Sequence, residues 1–427
     1  MQSRFTPRRL YYGWVIVAVM AVAGGWTLSM GVANFGFFIN PMRDDLGFDR
    51  AVFGWAASAR TAGAALGGIF IGRLIDRHGA RVLLAVFGGG GALLIAALAY
   101  VTTEWHLVAV YAVVGLMGMQ GGANIYTGPV VSKWFVRNRA RAMSMTYLGL
   151  PVALIAAFPL TQQLIEAFGW RTAWAVIGLI GVALIVPASL LFLRRQPSDF
   201  GMGVDGGAPE APASPGAPPQ EETERSWTRG EALRSMTFWR LTLAFGLHMA
   251  GQQSVSLYRF PHYEDQGVSA TLIGYAASLE GMASIASAFT VAFVAGRLGL
   301  QWTAAVGFAL MIASHVFTII ASNGAEVAAA VVLFGLAVTY LVVVQNLIYP
   351  AFFGRRHIGA IRGISLAVSM GLGAVSAPLT GYVADITGDF APIWWGAVGV
   401  LALSGVLIAT TKAPESKCES RIPESVA

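Results

Sequence analysis

Two charges of opposite sign stand inside long apolar stretches of this sequence, Arg60 and Glu280, and they coincide when the chain is shifted along itself by 220 positions. Each costs roughly 2.5 to 3.5 kcal/mol at the centre of a membrane helix, so each needs a compensating role. A guanidinium holds a carboxylate through two parallel N–H bonds and keeps its charge, which suits Arg60 to binding an anion. A carboxylate withdrawn from water is a ready proton acceptor, which suits Glu280 to proton coupling. The plainer reading of the same two residues is a permanent buried ion pair, or a gate that opens and closes.

Signals for covalent chemistry are missing. No histidine pair has HExxH spacing, no serine has GxSxG flanks, and the run Gly88 to Gly91 lacks the lysine of a phosphate loop. The sequence thus points away from an enzyme, implies no cofactor or metal, and implies that any transport is secondary and not driven by ATP. The single cysteine, Cys418, leaves no disulfide framework. The net charge of +6 comes without a basic stripe interleaved with aromatics, so it is no sign of nucleic-acid binding.

The elements that position these charges are read from hydropathy. Of 427 residues, 56% are hydrophobic and 12% charged, against about 25% charged in a soluble domain. Twelve apolar runs follow one another, each long enough to cross the hydrocarbon: 11–38, 51–75, 81–101, 106–134, 140–164, 170–193, 237–261, 270–296, 301–321, 326–353, 362–386 and 391–411. The 220-residue shift also matches Pro41 with Pro261, Asp45 with Asp265, Gly54 with Gly274 and Gly115 with Gly335, so the chain is a duplicated unit. The expected fold is an all-α membrane protein of twelve transmembrane helices in two pseudo-symmetric six-helix bundles, 1–193 and 237–413. A Pro- and Gly-rich linker, 194–236, joins them with little that can pack, and 414–427 form a tail. Close helix approach is expected at the GxxxG spacings Gly68 to Gly72 and Gly118 to Gly122. Lys and Arg collect in the even-numbered connections and the termini, while the other side keeps Arg43, Arg50, Arg171 and Arg259. The positive-inside rule then places both termini in the cytoplasm. Arg259, near the outer end of the seventh run, either draws anions into an outward-facing mouth or snorkels to the headgroups, and snorkelling is the expectation.

The turn Gly72-Arg73-Leu74-Ile75-Asp76-Arg77-His78-Gly79-Ala80-Arg81 embeds an acid among arginines between the second and third runs. This decapeptide resembles the loop 2-3 signature of the major facilitator superfamily, and the six-plus-six layout resembles that family along nearly the whole chain. Tyr11-Tyr12-Gly13-Trp14, and the stretch from Trp134-Phe135 through Arg137, Arg139, Ala140 and Ala142 to Gly149, are similar to the bacterial monocarboxylate-porter and oxalate/formate-exchanger branches. In those branches span eight carries an acid and an arginine, or span eleven a basic residue; here span eight has Glu280 with Ser284 one turn on, and mid-span eleven has no charge.

The resemblance implies alternating access, with spans one, four, seven and ten lining a cavity. Asn34, Gln120, Asn124, Tyr126, Gln252, Tyr340 and Asn346 are then expected to contact substrate with Arg60, while His248 joins Glu280 on the proton path and His315 is structural. Gly72, Asp76, Arg77, Gly79, Arg81 and Arg141 form the implied conformational switch. The function expected is proton-coupled transport of a small organic anion of the monocarboxylate kind, by a monomer in the cell membrane. The alternatives are a drug or neutral-metabolite exporter gated by an Arg60–Glu280 pair and, more remotely, a sensor or scaffold that transports nothing.

Overall fold

The computed structural model describes residues 11–29, 33–118, 126–194, 196–200, 202–206, 227–354, 357–411 and 414, and among these no strand occurs. Span one is α1 (Gly13–Leu28) followed by α2 (Phe35–Leu46), and span two is α3 (Arg50–His78). Span three is α4 (Ala80–Leu83), a π turn and α5 (Gly89–Ala97). Span four is α6 (Glu104–Leu116) and α7 (Thr127–Trp134). Spans five and six share α8 (Arg139–Phe192). A short α9 (Arg229–Arg234) precedes α10 (Met236–Asp265), which carries span seven and runs one turn past it. Spans eight and nine share α11 (Ala270–Ile320), and α12 (Gly324–Phe353), α13 (Ile358–Thr387) and α14 (Ala391–Ala409) complete the set.

Helices of 54 and 51 residues are far too long for one crossing, and both double back at a glycine. Gly169 (φ 78°, ψ 162°) turns α8 and Gly299 (φ 79°, ψ 166°) turns α11, in a backbone region open essentially to glycine. Gly79, between α3 and α4, has φ 79° and ψ 164°. It is the 220-residue partner of Gly299, so the duplicated turn is built twice with one backbone geometry.

Small residues bring the spans together. A Cβ on Gly115 of α6 would lie 2.1 Å from the carbonyl oxygen of Arg60, and one on Gly149 of α8 would lie 2.3 Å from that of Ala21. Gly118, two residues past the end of α6, has φ 72°; Gly122 lies outside the described residues, and so does the side of Gly72 that would face a neighbour.

The two ends of the bundles differ in charge. One, the acidic end, carries Asp44, Asp45, Glu166, Glu264, Asp265, Asp385 and Asp389; the basic end carries Arg77, Arg81, Lys133, Arg137, Arg141, Arg297 and Arg362.

The linker is better anchored than its composition suggests. The carboxylate of Asp205 accepts the backbone N–H groups of Val136 (3.0 Å), Arg137 (2.6 Å) and Asn138 (3.1 Å) at the start of α8. At its far end Trp227 donates its N–H to the Phe353 carbonyl (2.9 Å), and Thr228 with Glu231 forms a capping box that opens α9. Residues 207–226 lie outside the described residues.

Candidate substrate and proton-coupling site

Glu280 lies ten residues into α11, near mid-span, and is 9% exposed. Its carboxylate is held by Arg259 Nη2 from α10, in an ion pair that is almost fully enclosed. Arg259 is 2% exposed, so it does not snorkel: the nearest carboxylate lies deeper, and its guanidinium reaches inward, stacked over the rings of Phe334 (4.2 Å) and Phe260 (4.7 Å). Cation–π contact and ion pairing offset its burial where headgroups would otherwise. Two of its nitrogens, Nε and Nη1, are buried and have no hydrogen-bond acceptor. Both are N–H donors of a desolvated guanidinium, the group whose fork matches a carboxylate.

Arg60 occupies the equivalent place in the first half. It is 3% exposed, beside the buried phenol of Tyr111, and its backbone carbonyl faces Gly115. The partner glycine in the second half, Gly335, faces the Glu280 carbonyl in the same manner, its would-be Cβ 2.5 Å away. The position matching Arg259 is Ile39, so the first half has no equivalent pair. The ion pair of Glu280 is thus with Arg259, whereas the alternative gate reading pairs it with Arg60.

The other expected residues scatter. Asn34 is buried at the start of α2 and donates to Thr161 of α8, leaving its Oδ1 without a donor. Tyr126 spends its hydroxyl on the Met117 carbonyl (3.3 Å) across the break in span four, and Tyr340 donates to Thr290 (3.3 Å). Asn346 lies nearer the basic end than mid-span, exposed and bonded to Arg362 (2.6 Å), because α12 extends to residue 353. Gln252 is half-buried on α10. Gln120 and Asn124 lie outside the described residues. His248 packs edge-on to Phe308 of span nine, with its Nδ1 unmatched. His315 meets the Met311 and Gly251 carbonyls (2.9 and 3.4 Å), a structural arrangement.

Of the switch residues, Gly79 makes the turn described above and donates its N–H to the Ile75 carbonyl (2.9 Å). Arg81 caps the end of α8 through the Leu190 carbonyl (2.8 Å), and Arg141 lies over the Trp14 ring (5.7 Å). Arg77 is exposed, and the side chains of Gly72 and Asp76 lie outside the described ones.

Sequence reasoning missed the clasp that joins the two halves at the acidic end. Arg50 Nη2 donates to Asp265 (2.7 Å), Asp385 of α13 accepts the N–H groups of Arg50 and Ala51 (3.0 Å each), and Tyr258 donates to the Arg50 carbonyl (2.9 Å). Asn40 donates to Glu264 (2.9 Å), Thr271 to Glu166 (2.8 Å) and Gln163 to Tyr275 (2.8 Å). Phe37 stacks on Phe260 at 4.2 Å, next to Arg259. Toward the basic end, no hydrogen bond or ion pair among the described residues joins α1–α8 to α10–α14. Gly359, Gly363 and Gly371 of α13 face open space there, whereas Gly381 abuts Ala51 at the acidic end. A signal for the missed residues existed: Arg43, Arg50, Arg171 and Arg259, the exceptions to the charge bias, are the four arginines of the ion pairs among the described residues.

Comparison with known proteins fits this geometry. A family model described as Major Facilitator Superfamily matches residues 21–365. Monocarboxylate transporter 13 of Bos taurus is 25% identical over 442 residues, covering 100% of this chain and 97% of its own. Monocarboxylate transporter 2 of Rattus norvegicus is 22% identical, covering 93% and 82%. Among solved structures, a bacterial homologue of the human lysosomal transporter Spinster, inward-facing and occupied, superposes with a TM-score of 0.71 at 13% identity, covering 94% of this chain and 97% of that one.

Proposed function

The chain belongs to the Major Facilitator Superfamily, a family of membrane transporters and not of enzymes, and from that premise we propose that it carries a small organic anion of the monocarboxylate kind together with a proton. The observation that carries this reading is the buried Arg259–Glu280 pair, whose guanidinium keeps two N–H donors open. A substrate carboxylate takes those donors, and Glu280, displaced from part of its ion pair, accepts a proton; the site then carries no net added charge. The monocarboxylate transporters among its relatives support the substrate class. Arg259 is proposed as the anion ligand in place of Arg60 because it is Arg259 that meets Glu280.

The arginine-rich end is proposed to face the cytoplasm of a cell-membrane protein acting as a monomer. The clasped acidic end is then the outer one, and the conformation is open inward. Rocking of the halves breaks the clasp and exposes the same pair outward.

Thermal stabilisation of the purified protein by a panel of carboxylates tests the anion site. Lactate-like acids are expected to raise the melting temperature of the wild type, while Arg259→Lys, which keeps the charge but loses the fork, is expected to fold and lose the response. A response equal in Arg259→Lys and wild type would overturn the assignment.

A further inference from the structure

Glu264 lies one helical turn beyond the apolar run that ends at residue 261, on the clasp and not in the anion site. Its Oε2 accepts from Asn40 Nδ2 (2.9 Å), an amide of the opposite half that also reaches Asp265 Oδ1 (3.4 Å) and the Pro261 carbonyl (3.3 Å). The other atom of that amide, Asn40 Oδ1, is buried and has no donor. An ionised Glu264 offers it nothing; a protonated one offers an O–H, and the two groups then form a matched acid–amide pair. The charges facing Glu264 argue the same way. Asp265 stands beside it, and Asp44 of α2 and Glu166 of α8 approach from the other half. Of the arginines nearby, Arg50 is engaged by Asp265 (2.7 Å) and Arg43 lies 3.8 Å from Asp44.

We propose that Glu264 is a proton-operated latch: it takes up a proton as the halves close at the acidic end, donates it to Asn40 Oδ1, and must lose it before they part. This is a second proton-handling group, separate from Glu280, and it rests on the reading that the halves rock about a central site. Burial, opposed by the Asn40 bond and reinforced by Asp265, Asp44 and Glu166, pushes the Glu264 carboxyl in the closed form up to about 7. With the halves apart, water reaches it and it returns toward the ordinary carboxylate range. The sign follows: the closed form binds the proton more tightly, so the latch acts fully below the ordinary carboxylate range and is lost as pH rises through about 7.

The test is the distance between spin labels at the acidic end, on Trp105→Cys of the first half and Ala325→Cys of the second, with Cys418→Ser removing the native thiol. Both label sites are exposed and outside the clasp. In the wild-type background the short-distance population is expected to fall several-fold between about pH 5.5 and about pH 8.5. Glu264→Gln, permanently neutral, should hold the short distance at both. Asn40→Ala should lower the short-distance population at the acid pH. An unchanging wild-type distribution, or a Glu264→Gln protein that responds to pH as the wild type does, would overturn the latch. A working latch in a protein without proton-driven carboxylate uptake would sink the proposed function and leave the latch standing.

Discussion

The two halves repeat one backbone contact and part company at the side chains it presents. In each, a glycine of the fourth helix of the repeat lies against the carbonyl of the charged residue in the second: Gly115 on Arg60, Gly335 on Glu280. The second half adds Arg259 where the first has Ile39, and so builds a buried ion pair with open donors. The backbone differs as well. The Asn34 N–H makes a π-type bond to the Ser29 carbonyl (3.1 Å), and α6 ends at Leu116, with Gly118 at φ 72°. Their counterparts α10 and α12 are unbroken for 30 residues each. The second half thus has the paired charge that the first lacks. Duplication conserves how helices approach; the chemistry comes from substitutions laid on that frame.

Breaking the pair is expected to have the largest effect. Arg259→Met leaves Glu280 buried without its partner and should cost roughly 3 to 5 kcal/mol of stability. The double variant Arg259→Met/Glu280→Leu should recover most of that, without recovering carboxylate binding. Thermal unfolding of both in detergent checks it, and equal loss in the two would mean that the pair is not the cause.

The glycine contacts sharpen the comparison. Adding a methyl at Gly115, where the oxygen would be 2.1 Å away, is expected to cost about 1 to 3 kcal/mol and more than the same change at Gly335, where it would be 2.5 Å away. The ranking of the two melting temperatures is the measurement.

A smaller effect lies between the halves. Asp49, the N-cap residue of α3, makes no side-chain cap bond, and Asp385 from the other half caps that helix instead. Asp385→Asn should therefore weaken the clasp by about 1 kcal/mol and shift the protein toward the form open at the acidic end. Modification of a cysteine placed at Phe37, now stacked on Phe260, would report the shift as a faster reaction.

The smallest effect is expected at the linker. Burial acts to raise Asp205, yet three backbone N–H donors outweigh it and hold the carboxyl below its usual range. Its docking is intact at neutral pH and lost as pH falls through that lowered value. Asp205→Asn should expose the linker to protease at neutral pH, with uptake little changed.

The sequence makes the twelve spans, the duplication and the turn glycines Gly79 and Gly299 legible, because hydropathy, the 220-residue shift and backbone constraints are all local or periodic signals. Glu280 is legible as a buried acid for the same reason. Its partner is not: Arg259 lies near the end of an apolar run, where a long side chain reaches water as easily as it reaches inward, and only packing against Phe260 and Phe334 decides the direction. The clasp is hidden for a related reason, since Arg50, Asp265 and Asp385 are 215 or more residues from their partners across the halves. Each looks like an ordinary charged loop residue until the bundles meet.

Carboxylate uptake into proteoliposomes, with and without an inward proton gradient, tests the central claim most directly. The account predicts that the gradient drives accumulation by the wild type, that Glu280→Gln exchanges substrate but ignores the gradient, and that Arg259→Lys does neither. Wild-type uptake indifferent to the gradient, or undiminished uptake by Arg259→Lys, would contradict it.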